Sequence, residues 1–553
     1  MLEKMADTVT DLRWIGLLAL GCLLAGPAAL TGKDATHHQD GLPTPRPASA
    51  QATGPVQIGG GVVQGTVEPS GVRRFLGLPF AAPPVGELRW REPQPAHGWH
   101  GVLQATRFSA RCMQLPIFSD MVFRSNGMGE DCLYLNVWTP ARSAGQRLPV
   151  LLYFYGGGFV GGDGSELRYN GASLARHGIV VVTVNYRLGV FGFLAHPELT
   201  RESPHHASGD YGLLDQAAAL RWVRDNIASF GGNPQHITIA GESAGSRSVC
   251  AQMASPLSRR LIAGAIGESG GMIYPSLAPV PLGEAERAGV EFARSAAAGS
   301  LAALRALPAD SLLKATSRPG RGRWPLTVDG YFLTGTPADV FAAGEQAHVP
   351  LLVGWNSEEA DWRELFGSQA PTPQNYAAVL RTLFGERAAE ALRFFPGATE
   401  REIVASATLL AGAQHTAYST WKWAELHRGT GQPVYRYYYT HPRPAAKNPA
   451  QNPPHSGAVH SAEIEYALGN LATNQVYAWT PEDDSVSAAM ETYFANFIKT
   501  GNPNGTRLPR WPAAGRGDTV QVMVLNVHPR AEPERNKEAY RFLDGFYRGH
   551  PAP

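Results

Sequence analysis

The residue best placed for chemistry is Ser243, at the centre of the pattern GESAG that occupies positions 241–245. The apolar, β-branched run 237–240 before it predicts a short buried strand, and the small residues after it can begin a helix. A serine on such a strand-to-helix turn has an exposed hydroxyl, and the flanking glycines avoid collisions with neighbouring elements. The pattern therefore predicts nucleophilic catalysis, with an ordinary Gly/Ser turn as the alternative.

Backbone donors for a developing oxyanion are expected from two places. The helix that follows Ser243 begins at Ala244, and its N-terminus offers N–H groups and a positive dipole end. The triple glycine at 156–158 ends another predicted strand, 148–155, and lacks the lysine of a phosphate-binding loop. It fits better a glycine loop whose backbone N–H groups point at an oxyanion. We therefore expect the N–H groups of Gly157, Gly158 and Ala244 to form an oxyanion hole. A structural glycine turn is the alternative.

Composition indicates a large folded protein. The chain has 553 residues, of which 44% are hydrophobic and 17% charged, and its net charge is +1. A large core is therefore possible, and no basic run indicates a nucleic-acid partner. Buried strands are predicted at 130–138, 148–155 and 179–186, a helix at 211–230, and a first antiparallel hairpin at 62–67 and 72–77. This alternation predicts a doubly wound, mostly parallel α/β sheet.

The N-terminus has the character of a targeting segment. An apolar run at 14–24 follows basic residues and predicts a signal peptide over 1–30, with cleavage as late as residue 50 as the alternative. A Pro/Ala-rich linker is expected over 31–55 and a single catalytic domain over 56–548. The protein is then exported, secreted or periplasmic, and would reach a membrane only if the signal segment were retained or Cys22 were lipidated.

The cysteines favour a disulfide over a metal. Cys112 and Cys132 are about twenty residues apart with loop-like sequence between them, which suits a local disulfide in an exported protein. Cys250 lies on the predicted helix behind Ser243 and is expected to be a buried thiol. The cysteine and histidine spacings do not suggest a zinc site, and we expect neither a metal nor a cofactor.

Five motifs in order resemble the type-B carboxylesterase family, which includes cholinesterases and bacterial p-nitrobenzyl-type esterases. They are EDCLYLNVW at 130–138, YGGGF at 155–159, NYRLGVFGFL at 185–194, FGGNP at 230–234 and GESAG at 241–245. The resemblance runs from about residue 56 to Trp511-Pro512. It implies an α/β-hydrolase fold, with a large mostly parallel sheet, antiparallel N-terminal strands and helical cap insertions. It also implies a serine esterase with a Ser-Glu-His triad.

The triad acid is expected just past a predicted strand at 348–354, where an α/β sheet presents its functional groups. Three acids follow this strand: Glu358, Glu359 and Asp361. The segment resembles the family's G-x-N-x-D-E-G pattern, which implies that Glu359 is the catalytic acid. A solvated acidic loop is the alternative, and Ala360 departs from the family's glycine.

The triad base is one of two nearby histidines, His455 and His460. As a metal pair they make a weak signal, because they are loop residues without a third ligand close in sequence. The segment G-x-x-H-x-x-E-I-x-Y resembles the family's catalytic-histidine region and implies His460. In the same segment Glu463 is expected to be either a supporting acid or a helix-cap residue.

Three further residues are expected around the triad from the same resemblance. Glu242, beside the nucleophile, would lie near the histidine and order the attacking water. Ser269 would be the partner of Glu242. Glu268 stands where glutamine is usual, and the sequence does not say what this acid changes.

The combined reading is a carboxylesterase that forms an acyl-enzyme on Ser243 and acts on a small-molecule ester without an obligatory protein partner. The same machinery would also serve an amidase, a thioesterase, or a polyester or toxin-ester hydrolase. A non-catalytic binding module is the alternative from another class, but such family members typically lack a triad residue. The loop between Cys112 and Cys132 has no tryptophan, which argues against a cholinesterase.

Overall fold

The computed structural model describes residues 51–317, 324–448, 455–515, 517 and 519–549. The predicted signal segment 1–30, with Cys22, lies outside the described residues, as does the predicted linker up to residue 50. Gln51 and Ala52, within the stretch predicted as linker, pair with Val67 and Thr66 at one edge of the main sheet.

The strands lie throughout the described chain. In chain order they are β1 Gln51–Ala52, β2 Val56–Ile58, β3 Gly61–Gln64, β4 Thr66–Val67, β5 Arg73–Pro79, β6 Val102–Gln104, β7 Arg111–Cys112, β8 Met128–Gly129, β9 Tyr134–Thr139, β10 Leu148–Phe154, β11 Val180–Val184, β12 Gly232–Glu242, β13 Gly264–Glu268, β14 Val280–Pro281, β15 Thr327–Val328, β16 Leu351–Asn356, β17 Val434–Tyr439, β18 Gln521–Leu525 and β19 Arg530–Pro533.

The helices connect these strands or extend the loops between them. They are α1 Ala172–Arg176, α2 Gly189–Phe193, α3 Pro197–Glu202, α4 Tyr211–Asn226, α5 Ala244–Ala254, α6 Leu282–Ser295, α7 Leu301–Ala306, α8 Ala309–Thr316, α9 Pro337–Ala342, α10 Arg363–Phe366, α11 Pro373–Phe384, α12 Ala388–Ala391, α13 Glu400–Gly412, α14 Tyr418–Arg428, α15 Ile464–Ala467, α16 Pro481–Thr500 and α17 Lys537–Gly549.

One twelve-stranded sheet organises the molecule, in the order β1-β4-β5-β9-β11-β10-β12-β13-β16-β17-β18-β19. The pairs from β11 to β18 are parallel, whereas the N-terminal strands and β19 pair antiparallel. The central strands β10, β11 and β16 consist mainly of buried apolar residues, as expected for strands covered on both faces. The predicted mostly parallel sheet with antiparallel N-terminal strands is confirmed.

The predicted hairpin at 62–67 and 72–77 is only partly correct. The first arm divides at Gly65, so that β3 joins a separate sheet with β2 and β6 while β4 pairs with β5. A Cβ at Gly65 would overlap the backbone of Arg74, so the chain changes sheets where it crosses close to β5. The sequence alternation alone does not reveal this change of partner.

Two helical insertions extend from the carboxyl end of the sheet. One, with α6 to α9, lies between β13 and β16, and the other, with α10 to α14, lies between β16 and β17. The second insertion forms its own apolar cluster with α17, in which Tyr376, Phe384 and Phe542 are buried. The helical cap insertions implied by the resemblance are therefore present.

A disulfide closes the loop between β7 and the start of β9. Cys112 and Cys132 are bonded, with their Cα atoms 5.0 Å apart. Inside the loop, the amide of Gln114 donates to the carbonyl of Gly162 at 2.8 Å and accepts from its N–H at 2.9 Å. The loop is therefore attached to the glycine-rich segment that follows β10.

Within the ranges that the structure describes, none of the helices combines the length and the apolar character that crossing a membrane would require.

Removing the disulfide should lower stability without changing the fold. The bond joins residues 20 positions apart, and closing a loop of that length constrains the unfolded chain by about 3 kcal/mol. We expect the double variant Cys112→Ser, Cys132→Ser to melt about 3 °C lower than the wild type by calorimetry under oxidising conditions. A reductant should lower the wild-type Tm and leave that of the double variant unchanged. Cys250→Ala controls for loss of a cysteine that carries no disulfide; equal Tm values for the wild type and the double variant would contradict this account.

Candidate active site

Ser243 occupies a strained turn between β12 and α5. Its φ and ψ are 56° and −118°, outside the regions that L-residues usually adopt. A Cβ on Gly245 would overlap the carbonyl oxygen of Phe154, and one on Gly241 would lie 2.5 Å from that same oxygen. The expectation that both glycines are needed for close packing is confirmed. The Ser243 N–H donates to the carbonyl of Glu268 at 2.8 Å, which ties the turn to the next strand.

The imidazole of His460 links Ser243 to Glu359. Its Nε2 lies 2.9 Å from the Ser243 Oγ, and its Nδ1 lies 2.6 Å from the Glu359 Oε2. Glu359 is almost fully buried, whereas the His460 side chain is 26% exposed. The structure thus brings together the three residues expected to form the triad. A serine hydroxyl, an imidazole and a carboxylate in this order can generate a nucleophile by general-base catalysis.

Glu359 accepts three hydrogen bonds, from the end of β16, from the residue after β13 and from the loop after β17. Besides His460, the backbone N–H of Asn356 and the hydroxyl of Ser269 each donate to its Oε1 at 2.6 Å. Burial alone would raise the pKa of this carboxyl, but the His460 imidazolium and these donors together hold it below its ordinary value. Glu359 is therefore ionised at neutral pH, as a partner for an imidazolium must be.

The structure corrects the expected partner of Ser269. Its hydroxyl donates to Glu359 rather than to Glu242, and it also lies 3.2 Å from Oε1 of Glu463. The reason is the position of Ser269, which follows β13 directly while β13 pairs with both β12 and β16. The Ser269 N–H donates to the Gly354 carbonyl, so the residue turns toward the acid on the β16 side.

Glu463 is a supporting acid and not a helix cap. Its side chain makes no cap hydrogen bond to α15, and its Oε2 instead accepts from Asn356 Nδ2 at 2.5 Å. Burial, together with the negative charge of Glu359, raises the pKa of Glu463 to about 7. Asn356 thus donates to two carboxylates, a role that the sequence indicated only through the motif containing this residue.

The glycine segment after β10 forms a tight turn with left-handed backbone conformations. Gly157 and Gly158 have φ values of 109° and 61°, which favour glycine. The Gly157 carbonyl accepts from the N–H groups of Val160 and Gly161, each at 3.0 Å, which closes a tight turn. Ala244 is the first residue of α5, as expected. These three residues are the expected oxyanion donors, and that role remains a prediction.

The disulfide loop packs directly on this glycine segment. A Cβ added at Gly157 would be 3.2 Å from the methyl of Met121, and one at Gly161 would be 3.1 Å from the ring of Phe118. Phe118 is itself 38% exposed. The loop therefore forms one wall beside the glycine segment.

A cavity opens next to the same segment. Its lining is mostly apolar and joins the disulfide loop, the glycine segment, α2, α8 and Trp324. The apolar lining residues include Ile117, Val160, Leu188, Phe191, Leu313 and Trp324. Within the described part of the chain, no group of three or more His, Cys, Asp or Glu side chains could hold a metal ion.

Glu242 lies against the imidazole of His460. Its Oε1 is 3.3 Å from Nε2 of His460, and the side chain is 4% exposed. Burial raises the pKa of Glu242. In the reverse direction, burial would lower the pKa of His460, but the carboxylates of Glu242 and Glu359 outweigh this effect and raise it above its ordinary value.

Glu268 lies beside Glu242 on the neighbouring strand, in direct register. Both of its carboxyl oxygens are buried, and neither has a hydrogen-bond partner among the described residues. Burial, reinforced by the negative charges of Glu463 and Glu242, raises the pKa of Glu268 well above its ordinary value. Burial therefore favours the neutral form of this acid, which makes it closer to the expected glutamine than its charge type implies.

Comparison with known proteins agrees with these observations. The profile of the carboxylesterase family matches residues 52–543. A fumonisin B1 esterase of Sphingopyxis macrogoltabida is 35% identical over 482 residues, covering 82% of this chain and 84% of the relative. The para-nitrobenzyl esterase of Bacillus subtilis (strain 168) is 34% identical over 505 residues, covering 87% of this chain and 97% of the relative.

A human relative and a solved structure give the same result. The cocaine esterase of Homo sapiens is 35% identical over 511 residues, covering 86% of this chain and 87% of the relative. A solved structure of PNB esterase superposes with a TM-score of 0.76 at 30% identity, covering 89% of this chain and 99% of that chain.

The raised pKa of Glu268 has a measurable consequence for stability. A carboxyl whose pKa is raised on folding keeps its proton while the unfolded chain loses it, so stability falls as pH rises above the unfolded pKa. The slope is about 1.4 kcal/mol per pH unit. We expect Glu268→Gln to abolish this contribution, so that the Tm of the variant minus that of the wild type increases by about 1 °C per pH unit as pH rises from the unfolded pKa toward the folded one.

The control for this measurement is Glu345→Gln, because Glu345 is exposed. Its Tm difference from the wild type should not depend on pH. A Glu268→Gln difference that is constant or falls with pH would mean that Glu268 is ionised in the folded protein.

Proposed function

Because the chain belongs to the carboxylesterase family and has the α/β-hydrolase fold, we propose that it hydrolyses carboxylic esters through an acyl-enzyme on Ser243. The observation that carries the proposal is the hydrogen-bonded series Ser243–His460–Glu359, with distances of 2.9 and 2.6 Å. The family accounts for the reaction type, and this series supplies the residues that would perform it.

In the acylation step, His460 removes the proton from the Ser243 hydroxyl as its oxygen attacks the ester carbonyl. Glu359 accepts a hydrogen bond from Nδ1, which keeps the other nitrogen, Nε2, available as the base and stabilises the imidazolium that forms. The imidazolium then donates its proton to the leaving alcohol. The raised pKa of His460 suits it to holding that proton between the two events.

The tetrahedral intermediate carries a negative oxygen, which the N–H groups of Gly157, Gly158 and Ala244 would bind. The left-handed conformations of the two glycines and the helix start at Ala244 support this assignment. Loss of one such donor typically lowers the rate by about 10²–10³. Because the glycine segment is bonded to Gln114, the disulfide loop contributes to the rigidity of the hole.

In the deacylation step, water attacks the acyl-enzyme and His460 again acts as base. Glu242 is 3.3 Å from the nitrogen that accepts the proton from this water. We assign Glu242 to orienting the water, as its position beside Nε2 supports. Glu463, and Ser269 through its hydrogen bond to Glu359, support the triad without touching the reacting atoms.

The substrate would be a small-molecule ester with an apolar portion. The cavity between the disulfide loop and α8 is lined by Ile117, Leu313 and Trp324 and lies beside the glycine segment. The relatives are named for different esters, namely fumonisin B1, cocaine and para-nitrobenzyl esters. A p-nitrophenyl or p-nitrobenzyl ester is therefore the reasonable first assay substrate for this chain.

Export from the cytoplasm is also part of the proposal. The disulfide between Cys112 and Cys132 supports an oxidising compartment, since such bonds are rare in cytosolic proteins. The proposed signal segment precedes the described residues. Comparing the N-terminus of the secreted or periplasmic protein with residues 1–50 would establish the cleavage site.

The triad assignment predicts that hydrolysis depends on Ser243. Wild type should hydrolyse p-nitrophenyl esters across acyl lengths C2 to C12 with a preference for one range. Ser243→Ala should lower kcat by at least about 10³-fold, because the acyl-enzyme can no longer form, while its Tm stays close to that of the wild type. Ser246→Ala, in the same helix, is the control for replacing a nearby serine. Substantial hydrolysis by a folded Ser243→Ala would contradict the proposal.

The contact between Glu242 and His460 predicts a shift in pH dependence. Catalysis needs unprotonated His460, so kcat/KM rises as pH rises through its pKa. The Glu242 carboxylate favours the imidazolium, and Glu242→Gln should therefore lower the His460 pKa and move the acidic limb of kcat/KM to lower pH. Glu87→Gln, at an exposed position, should leave the limb in place. An unmoved limb in Glu242→Gln would contradict this electrostatic coupling.

A further inference from the structure

One turn of the helix that crosses the site departs from α geometry. Residues 400–428 run continuously as α13, a π-helical turn at Ala413–Ala417, and α14. A π turn contains one more residue than an α turn, and such turns are often found at functional sites. The helices on both sides are regular, so the extra residue changes only the direction in which the turn presents its side chains.

The π turn and the residue before it contact Glu359, His460 and α5, the helix that follows Ser243. A Cβ added at Gly412, where the turn begins, would be 3.3 Å from the Cβ of Glu359. The ring of His415 lies against the ring of His460, with centroids 4.9 Å apart and planes at 84°. Arg247, one helical turn after Ser243, donates from Nη2 to the His415 carbonyl at 2.9 Å.

The contact between the two imidazoles restrains a motion of His460 that its hydrogen bonds do not restrain strongly. The hydrogen bonds to Glu359 and Ser243 act at the two ring nitrogens and lie near the plane of the ring. They restrain a tilt of the ring about the line joining those nitrogens only weakly. The edge-to-face packing of His415 opposes such a tilt, because it places a ring at right angles to that of His460.

Small tilts matter for a group that must transfer protons twice per turnover. Displacing a catalytic group by about 1 Å can cost about 10²-fold in rate. The His460 side chain is 26% exposed, so its open side needs support from a neighbouring side chain. The backbone carbonyl of His415 accepts a hydrogen bond from Arg247, which fixes the position of His415 beside the ring of His460.

We propose that His415 is a positioning residue for His460, and that the π-helical turn at 413–417 exists to deliver it. The proposal rests on the function proposed above, because it concerns the base of that reaction. The required property is an aromatic ring at position 415, not its ability to titrate.

The first test compares His415→Ala and His415→Phe in the full-length protein. We expect His415→Ala to lower kcat about tenfold, equivalent to about 1.4 kcal/mol, with KM within about twofold of the wild type. His415→Phe should recover kcat to within about threefold, because it restores the ring contact. Gln414→Ala is the matched control, since Gln414 is the neighbour of His415 in the same turn, and this variant should leave kcat unchanged.

Proton NMR separates positioning from a general structural role. The proton between His460 Nδ1 and Glu359, whose heavy atoms are 2.6 Å apart, should give a far-downfield resonance in the wild type. This resonance should broaden or shift in His415→Ala and be retained in His415→Phe and Gln414→Ala. A kcat within twofold of the wild type in His415→Ala, or an equal loss in His415→Phe, would overturn the proposal.

A deletion tests the π turn itself. Removing Gln414 leaves one residue fewer and lets α13 continue into α14 with α geometry. We expect a folded protein with kcat lowered as in His415→Ala, and little further loss when the deletion is combined with His415→Ala. Independent, additive losses would overturn the link between turn and ring. If Ser243-dependent hydrolysis were absent from the wild type, the proposed function would fail first, and these comparisons would not be made.

Discussion

The buried carboxylate of Glu359 is the group on which the arrangement of the site depends. An ionised carboxylate in a protein interior is stable only if hydrogen bonds and an opposite charge replace the water it has lost. Here the donors come from three places: the end of β16, the residue after β13, and the loop after β17 that carries His460. Those three strands are neighbours in the sheet, so their register determines whether the acid is charged. The same parallel register sets the distance from the base to Ser243 on the next strand, β12.

Other carboxyls around the histidine lack this set of donors and differ accordingly. Glu242, Glu268 and Glu463 all have raised pKa values, with burial as the first cause in each case. One imidazolium needs one anion, and additional full charges in this interior would repel one another. Of these four acids only Glu359 has a lowered pKa, and the difference comes from its hydrogen bonds and its contact with His460.

Sequence reasoning predicted the parts of the site that depend on local steric demands. The turn at Ser243 needs glycines on both sides, and this demand is visible as a spacing in the sequence. The strands that precede Glu359 and His460 could also be predicted, because buried strands are recognisable in the sequence as runs of apolar and aromatic residues. The predicted hydrogen-bond partner of Ser269, Glu242, was wrong. The register of β12, β13 and β16 decides which acid the Ser269 hydroxyl reaches, and it reaches Glu359. His415 was missed altogether, because a π turn inside a long helix leaves the apolar pattern on either side unchanged.

The order of strands in the sheet places the two helical insertions on different parts of the site. The glycine segment, Ser243, Ser269, Glu359 and His460 follow β10, β12, β13, β16 and β17, which are adjacent in that order. The insertion between β13 and β16 supplies Leu313 and Trp324 to the cavity wall. The insertion between β16 and β17 carries the π turn that contacts His460. A substitution at Leu313 or Trp324 in the first insertion therefore alters the cavity wall, whereas a substitution at His415 in the second alters a contact with His460 itself.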